Sequence, residues 1–502
     1  MGWVLEVDWL GRTFTFNEVQ AEVVESFDLF VDSPRVRSIT ITDIYFPSDI
    51  NLSDLIINRG YRLDTATARL ILDGVTHLQG RVVSPVFSGA DKPCQFTVTE
   101  NEWEDTALFP SSFEVTLRVK VEEDESDVVG IERHNDAARA LRPFLDIELW
   151  PSLADKDYGR THQIVFGEPG AIGIRSPGSP AFFIDTVNSY LQIAGHEVES
   201  TTTTIWGPDA SGDLALEASV PITHVQDGDG RWIAQADISG AATVDKTRVE
   251  DDWWVEWADG RAMPGGYGDV LELMLEASTL RFDRNWLRGA KEDLNARFAL
   301  DGYIDEPVTP YEWIQDNLLS MLPMAPVVGK DGLYFVLWDP PSLTTVIDTM
   351  IEGPEVILDS DLQVADLEAV NEVRFEYRYR PDKNTTTAVA KVDSGTSAYS
   401  ALSSQGKTSG RVISSNIVDK EGTAYACAHL WANLYAFPPI VLALKCDRTR
   451  YDNLRAGDIV AFTSQTLTLA AKLGMITAIA RDGSPMLSVE ISLFTDPIIR
   501  AI

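Results

Sequence analysis

A chain of 502 residues that is 44% hydrophobic and 24% charged is long enough for about three ordinary domains, each with its own core. Its 77 Asp and Glu against 41 Lys and Arg leave a formal charge of −36, which argues against gripping nucleic acid through phosphates, since that needs basic patches. Three cysteines (Cys94, Cys427, Cys446) are too few and too scattered for a disulfide framework or a zinc site, and are expected as small buried apolar residues.

The amino terminus lacks the basic and long apolar regions of a signal peptide, and no apolar run approaches the ~18 residues of a membrane span. The expectation is a protein made in the cytoplasm that stays soluble until it joins an assembly. Residues 1–100 read as β. Strands are expected over 2–16 and 36–46, with Asp32-Ser33-Pro34 as a turn, and a hairpin over 65–87 turns at Asp73-Gly74. A strand over 113–121, a charge run at 122–125 and a short helix over 131–141 follow. A strand over 158–168 ends in a glycine. Residues 181–258 return to β, and Asp227-Gly228-Asp229-Gly230 forms a hairpin tip rather than a calcium loop, because no glutamate stands at the loop's twelfth position.

The segment 262–338 is mixed α/β. Short amphipathic helices are expected around Val270–Leu275 and over 285–298. A third starts at Thr309-Pro310-Tyr311-Glu312, where threonine, proline and glutamate spell a capping box, and Tyr311, Ile314, Leu318, Met321 and Leu322 line one face. Asp331-Gly332 leads into a strand over 333–338, and another strand covers 372–379. The Ser/Thr/Gly-rich stretch 381–416 is expected as an extended arm or mobile loop that orders against a neighbouring chain.

The carboxy-terminal part has the clearest pattern. Cys427, Leu430, Trp431, Leu434 and Tyr435 form one apolar stripe on a helix over 423–437, which Pro438-Pro439 stop. The period then becomes 2 at Ile440, Leu442, Leu444 and Cys446. The polar turn Leu454-Arg455-Ala456-Gly457-Asp458 launches a strand, and Arg481-Asp482-Gly483-Ser484 joins the two strands of a closing hairpin. The repeated strand, Asp-Gly, strand order in the first and last parts hints at an internal repeat.

Motifs that carry chemistry are missing. Gly167-Glu168-Pro169-Gly170-Ala171-Ile172-Gly173 lacks the Lys-Ser/Thr of a phosphate loop, and there is neither a Gly-x-Ser-x-Gly elbow nor a His-Glu-x-x-His pair. The six histidines (His77, His134, His162, His196, His224, His429) stand singly in sequence. No catalytic, cofactor-binding or metal-binding residue is assigned, no cofactor is implied, and the chain is read as a non-enzyme. Trp253 and Trp257 would share one face of a strand, and could fill a core or an interface, or form a platform for sugar rings.

The order of parts resembles the tail hub (baseplate hub) proteins of tailed bacteriophages. The resemblance rests on the capped helix and strand at 310–338, the 454–460 turn and the last hairpin. It implies a mainly β fold with an α/β middle region, having two small antiparallel β-barrel domains plus inserted domains. The first barrel would occupy 1–125, the middle β and α/β region 126–355, the second barrel 356–380 with 438–502, and an inserted loop and helix 381–437. It also implies a homotrimer that forms a ring at the virion tail tip. The expected partners are a distal tail or tail tube protein, a tape measure protein, and tail tip or fibre proteins. Viral DNA would pass through an acidic lumen without specific binding. The alternatives are a tail-associated glycan hydrolase, or a carbohydrate-binding tail module built on Trp253 and Trp257.

Overall fold

The computed structural model describes residues 2–27, 38–47, 50, 52, 54–87, 93–100, 107–110, 116–120, 130–134, 145–170, 176–228, 230–257, 260–339, 346–360, 362–364, 370, 372–393, 410–436 and 439–494; counts of strands, helices and contacts are of these residues. The fold is mainly β, as the sequence suggests, with one closed six-stranded barrel, two curled half-barrels and central helices.

The first half-barrel is a six-stranded antiparallel sheet in the order Arg12–Val19, Trp3–Trp9, Thr67–Leu72, Val75–Phe87, Cys94–Thr99 and Ser38–Ile44. Along Trp3–Trp9 every second residue points inward, so Trp3, Leu5, Val7 and Trp9 enter one core with Leu70, Val82 and Phe96. The expected strand over 2–16 is in fact a hairpin. It turns at Leu10-Gly11, both with positive φ (54° and 72°), the backbone of a two-residue turn matched to strand twist. Leucine there carries none of the usual Asn or Asp signal, which is why the turn escapes a sequence pattern. Asp73-Gly74 does carry it, and adopts the same geometry at 51° and 81°. The turn expected at Asp32-Ser33-Pro34 and the charge run at 122–125 lie outside the described residues.

Gly130–His134 is a strand paired antiparallel with Thr116–Lys120, not the start of a helix. The closed barrel falls in the middle of the chain, in the order Ser179–Asp185, Tyr190–Ala194, Trp232–Asp237, Leu214–Gln226, Thr202–Pro208 and Trp253–Glu256, whose last strand returns to the first. Phe183, Leu191, Ile193, Ile205, Ala234 and Val255 fill it. Trp253 and Trp257 are both buried, at 2% and 1% exposure, so neither offers a platform to a sugar. Trp253 meets Phe183 edge to face at 5.2 Å, and Trp257 Nε1 donates to Ser179 Oγ at 3.0 Å.

Helix α1 (Tyr267–Ala277) and helix α2 (Arg284–Arg297) pack together, and α2 is capped by Asp283, whose carboxylate accepts the N–H groups of Asn285 and Trp286 at 3.0 Å. Helix α3 (Pro310–Trp313) begins at Thr309 with proline at its first turn. The threonine side chain makes no capping bond, so the expected capping box does not form. Its helix continues over Ile314–Leu319 with wider, i to i+5 bonding, and still buries Tyr311, Ile314, Leu318, Met321 and Leu322 as one face. Strands Met324–Gly329 and Gly332–Leu337 form a buried hairpin behind it.

Strand Glu372–Arg380 does not join the last sheet, where the sequence reading puts it. It is the centre of a separate three-stranded sheet with Thr385–Asp393 and Gly410–Ser414. The stretch expected as an extended arm or mobile loop thus gives Thr385–Asp393 and Gly410–Ser414 to regular sheet, and 394–409 lies outside the described residues. Val373, Phe375, Ala390, Val392 and Ile413 give that sheet one buried face, against which helix α4 (Glu421–Ala436) lies. The α4 stripe of Cys427, Leu430, Trp431, Leu434 and Tyr435 is buried throughout, and Trp431 Nε1 donates to the Met321 carbonyl at 3.1 Å.

The last sheet is the second half-barrel. Its order is Asp348–Ile351, Ile459–Ser464, Leu469–Arg481, Met486–Leu493, Ile440–Asp447 and Val356–Leu358, with Gln363–Val364 and Val23–Ser26 added at its sides. Strand Asp348–Ile351 runs parallel to its neighbour, and no strand among the described residues pairs with its other edge.

Candidate assembly junction

Strand Val23–Ser26 leaves the first sheet in space although it is continuous with it in sequence. It pairs antiparallel with Ala478–Arg481 of the last sheet, and the Phe27 N–H donates to the Thr477 carbonyl at 3.2 Å. Its side chains reach different places. Val23 enters the first core, Phe27 enters the central one, and Glu25 is 5% exposed between them.

Two groups meet the buried Glu25 carboxylate. The Tyr334 hydroxyl lies 2.7 Å from Glu25 Oε1 and 2.8 Å from the Ala456 carbonyl, and the Ala456 N–H donates to the same Glu25 oxygen at 2.9 Å. Arg455 stacks over the Tyr334 ring, its guanidinium carbon 4.3 Å from the centroid, and donates to Asp283 Oδ2 at 2.9 Å. Asp283 is the cap of α2, so one carboxylate holds both a helix end and the arginine. Asp458 accepts the Arg455 N–H at 2.7 Å; burial pushes its carboxyl up to about 6, opposed by Arg455 and reinforced by the nearby Glu25 charge. Burial, reinforced by the Glu25 charge, raises the Tyr334 phenol well above its usual range. Gly457 sits at φ 93°, and a Cβ there would come 2.6 Å from Val336 Cγ2. The Leu454–Asp458 turn that the sequence singles out is thus where the first sheet's strand, the central hairpin, α2 and the last sheet meet.

A second set of contacts flanks it. Arg448, with an 8% exposed side chain, pairs with Asp73 of the first sheet, and Arg481 donates to the carbonyls of Asp452 and Leu454 at 3.0 Å. His77 packs edge to face on Trp3 at 5.4 Å; burial, then the Arg481 cation, push its pKa down to about 4.

The histidines that stand apart in sequence are partly gathered by the fold. His162, His196 and His224 collect at the base of the closed barrel. His196 Nε2 accepts the Val165 N–H at 3.0 Å, His224 Nε2 accepts the Val198 N–H at 3.2 Å, and His162 Nδ1 pairs with the Gln192 amide at 2.8 Å. Burial lowers the pKa of all three, to about 4 for His196, so His196 and His224 serve as neutral acceptors of backbone N–H groups and His162 meets a side-chain amide. The three cysteines are free and fully buried, and burial raises the thiols of Cys94 and Cys446 to about 11 and 12. At the expected hairpin tip, Asp227 accepts the Arg231 N–H at 2.8 Å, and Asp229 lies outside the described residues. Among the described residues no group of three or more His, Cys, Asp and Glu could hold a metal, and no helix is long and apolar enough to cross a membrane.

The arrangement defines a class before it suggests a role: a β-rich chain whose buried charged residues bind its parts to one another. No family model matches the chain, and neither does any curated protein. Solved structures do. The chain is similar to the tail protein from Neisseria meningitidis MC58, at 9% identity, over 100% of this chain and 99% of that one, with a TM-score of 0.40. It is also similar to the 43 kDa tail protein of prophage MuSo2 from Shewanella oneidensis, at 9% identity, over 99% of each chain, with a TM-score of 0.39. A third is prophage tail protein gp18 from Listeria monocytogenes EGD-e, at 6% identity, over 98% of this chain and 94% of that one, with a TM-score of 0.32.

Proposed function

We propose that this protein is a non-enzymatic structural hub of a bacteriophage-type tail. Three copies close into a ring between a tail tube or distal tail protein and the tip or fibre proteins. The tape measure protein and the viral DNA occupy or cross the lumen. One observation carries the reading: two curled, open β-sheets in one chain are locked together by an exchanged strand and a buried polar junction. A ring in which three chains present six similar units needs that fixed relation, and its head-to-tail closure covers edges that a free chain leaves open. The last sheet offers such an edge at Asp348–Ile351, where Ile347 and Ile351 are 61% and 59% exposed. Three copies would carry a formal charge of −108, three times −36, so a lumen lined by this chain repels phosphate instead of holding it.

The test is a reconstruction of the tail end of particles that incorporate the chain. Three copies per tail, with both curled sheets in one ring, are expected. One copy or six would overturn the proposal, as would a lumen lined by Arg and Lys.

A further inference from the structure

The two curled sheets share a four-strand unit, and half of one strand is treated differently in each. In the first sheet the unit is Ser38–Ile44, Thr67–Leu72, Val75–Phe87 and Cys94–Thr99. In the last it is Ile440–Asp447, Ile459–Ser464, Leu469–Arg481 and Met486–Leu493. In both, the second, third and fourth strands form a meander, and the first strand pairs with the fourth. The third strand has 13 residues in each and the second has 6, so the far half of the third runs past the end of its neighbour. The registers agree as well. Thr67 lies opposite Arg81 and Ile459 opposite Met475, each the seventh residue of its long strand. The next residue, Val82 or Ile476, is fully buried in each sheet. Its N–H donates to the residue just ahead of the second strand, the Ala66 carbonyl at 3.0 Å in one and the Asp458 carbonyl at 2.9 Å in the other.

Past this point the two sheets part. In the last sheet the far half of the long strand is filled from within the chain. The Phe27 N–H donates to the Thr477 carbonyl at 3.2 Å, and Val23–Ser26 runs antiparallel to Ala478–Arg481. In the first sheet the matching stretch, Val83–Phe87, pairs on one side only, Val83 with Thr97, Val86 with Gln95 and Phe87 with Cys94. Among the described residues no strand lies on its other side. An uncovered strand edge is a template for another strand. Ser84 (φ 49°) and Pro85 make a bulge there, which weakens the edge as a general template without closing it.

We propose that Val83–Phe87 takes an antiparallel strand from a second copy of this chain, and that this strand is Asp348–Ile351. The proposal rests on the ring reading above and names the contact by which one copy meets the next. Three observations select the strand. Asp348–Ile351 is an edge of the last sheet with no strand on its outer side among the described residues, and its 4 residues match Ser84–Phe87 in length. Exposure also alternates in a matching phase. Ile347, Thr349 and Ile351 are exposed on one strand and Ser84 and Val86 on the other, with Ile347, Ile351 and Val86 at 61%, 59% and 59%. Set antiparallel with Thr349 opposite Val86 and Ile351 opposite Ser84, the two isoleucines flank the valine on one face, within reach of diagonal cross-strand contact. Finally, the two edges belong to different units. Joining a first-sheet edge to a last-sheet edge is head to tail and repeats from copy to copy until a ring closes, whereas a first-sheet edge meeting its own kind stops at two.

The experiment places cysteines at both positions of the full chain, Val86→Cys with Thr349→Cys, and treats particles that incorporate it with a short thiol-to-thiol cross-linker. Directly opposed residues of an antiparallel pair stand about 4.5–5.5 Å apart at Cβ, within its span. Denaturing gels should show linked products of two and three chains and nothing larger. Their yield should be about tenfold above either single variant, because held proximity raises the effective concentration of the second thiol. The same excess is expected over Val86→Cys with Val389→Cys, whose second site is 52% exposed on the three-stranded sheet. Ser84→Cys with Ile351→Cys, opposed in the same register, should give the same ladder and decides if the first variant does not fold. Particles that hold three copies in a ring yet give no linked product above the control would overturn this pairing and leave the ring reading standing. One copy or six per tail would overturn both. Products that stop at two chains, or linkage by Val86→Cys alone, would overturn the head-to-tail contact.

Discussion

The closed barrel and the two curled sheets solve the same problem in opposite ways. A β-sheet leaves unpaired N–H and C=O groups at its edges. The barrel covers them itself, by pairing Ser179–Asp185 with Trp253–Glu256, and meets the rest of the chain through side chains and loops such as Asp157 and Gln163 instead of through open edges. The curled sheets stay open, and depend on each other through a strand that one lends the other and on ion pairs such as Asp73–Arg448. The difference teaches where damage should stay local and where it should spread. A barrel defect should remain in the barrel, whereas a junction defect should alter the relation of the two sheets.

The sharpest way to break the comparison is Trp253→Ala. Removing this buried indole from the barrel core, where it packs on Phe183 and closes over Gly207, should cost about 3–5 kcal/mol. Chemical denaturation should show a separate, early barrel transition, with the later transition of the curled sheets in place. A single transition shifted as a whole would show that the barrel is not an independent unit.

Tyr334→Phe sharpens the other side. It leaves the ring under Arg455 but strips Glu25 of a hydroxyl partner in a buried place, at about 1–3 kcal/mol. Exchange at Val23–Ser26 should quicken while barrel amides stay protected. Acceleration limited to the Gly332–Leu337 strand would mean that Glu25 does not anchor Val23–Ser26.

The smallest effect is expected from pH at His77. Its folded pKa of about 4 lies below the ordinary 6.5, so the unfolded chain binds the proton first as pH falls. Stability from this site is full above about 6.5 and is lost as pH falls toward 4. His77→Gln should flatten the acid limb of a stability profile between pH 6.5 and 4. An unchanged limb would move the acid sensitivity elsewhere at the junction.

The sequence by itself determined what short-range chemistry dictates. Asp73-Gly74 marks a tight turn because aspartate and glycine tolerate positive φ, and the 427–435 stripe marks α4 because 3.6-residue spacing puts those side chains on one face. The buried face of 311–322 and the burial of the cysteines follow from the same local rules. Tertiary structure decided the rest. Nothing in Val-Val-Glu-Ser at 23–26 says that the strand pairs with Ala478–Arg481, because pairing partners are set by edges brought together from far along the chain. Strand Thr385–Asp393 lies in a threonine-rich run that reads as an arm, and becomes sheet because Ala390 and Val392 find a core around α4. The charged residues of the junction show the same limit. Glu25, Asp283, Arg455 and Asp458 look like ordinary surface charges in so acidic a chain, and only folding, by removing water from around them, turns them into the contacts that hold its parts together.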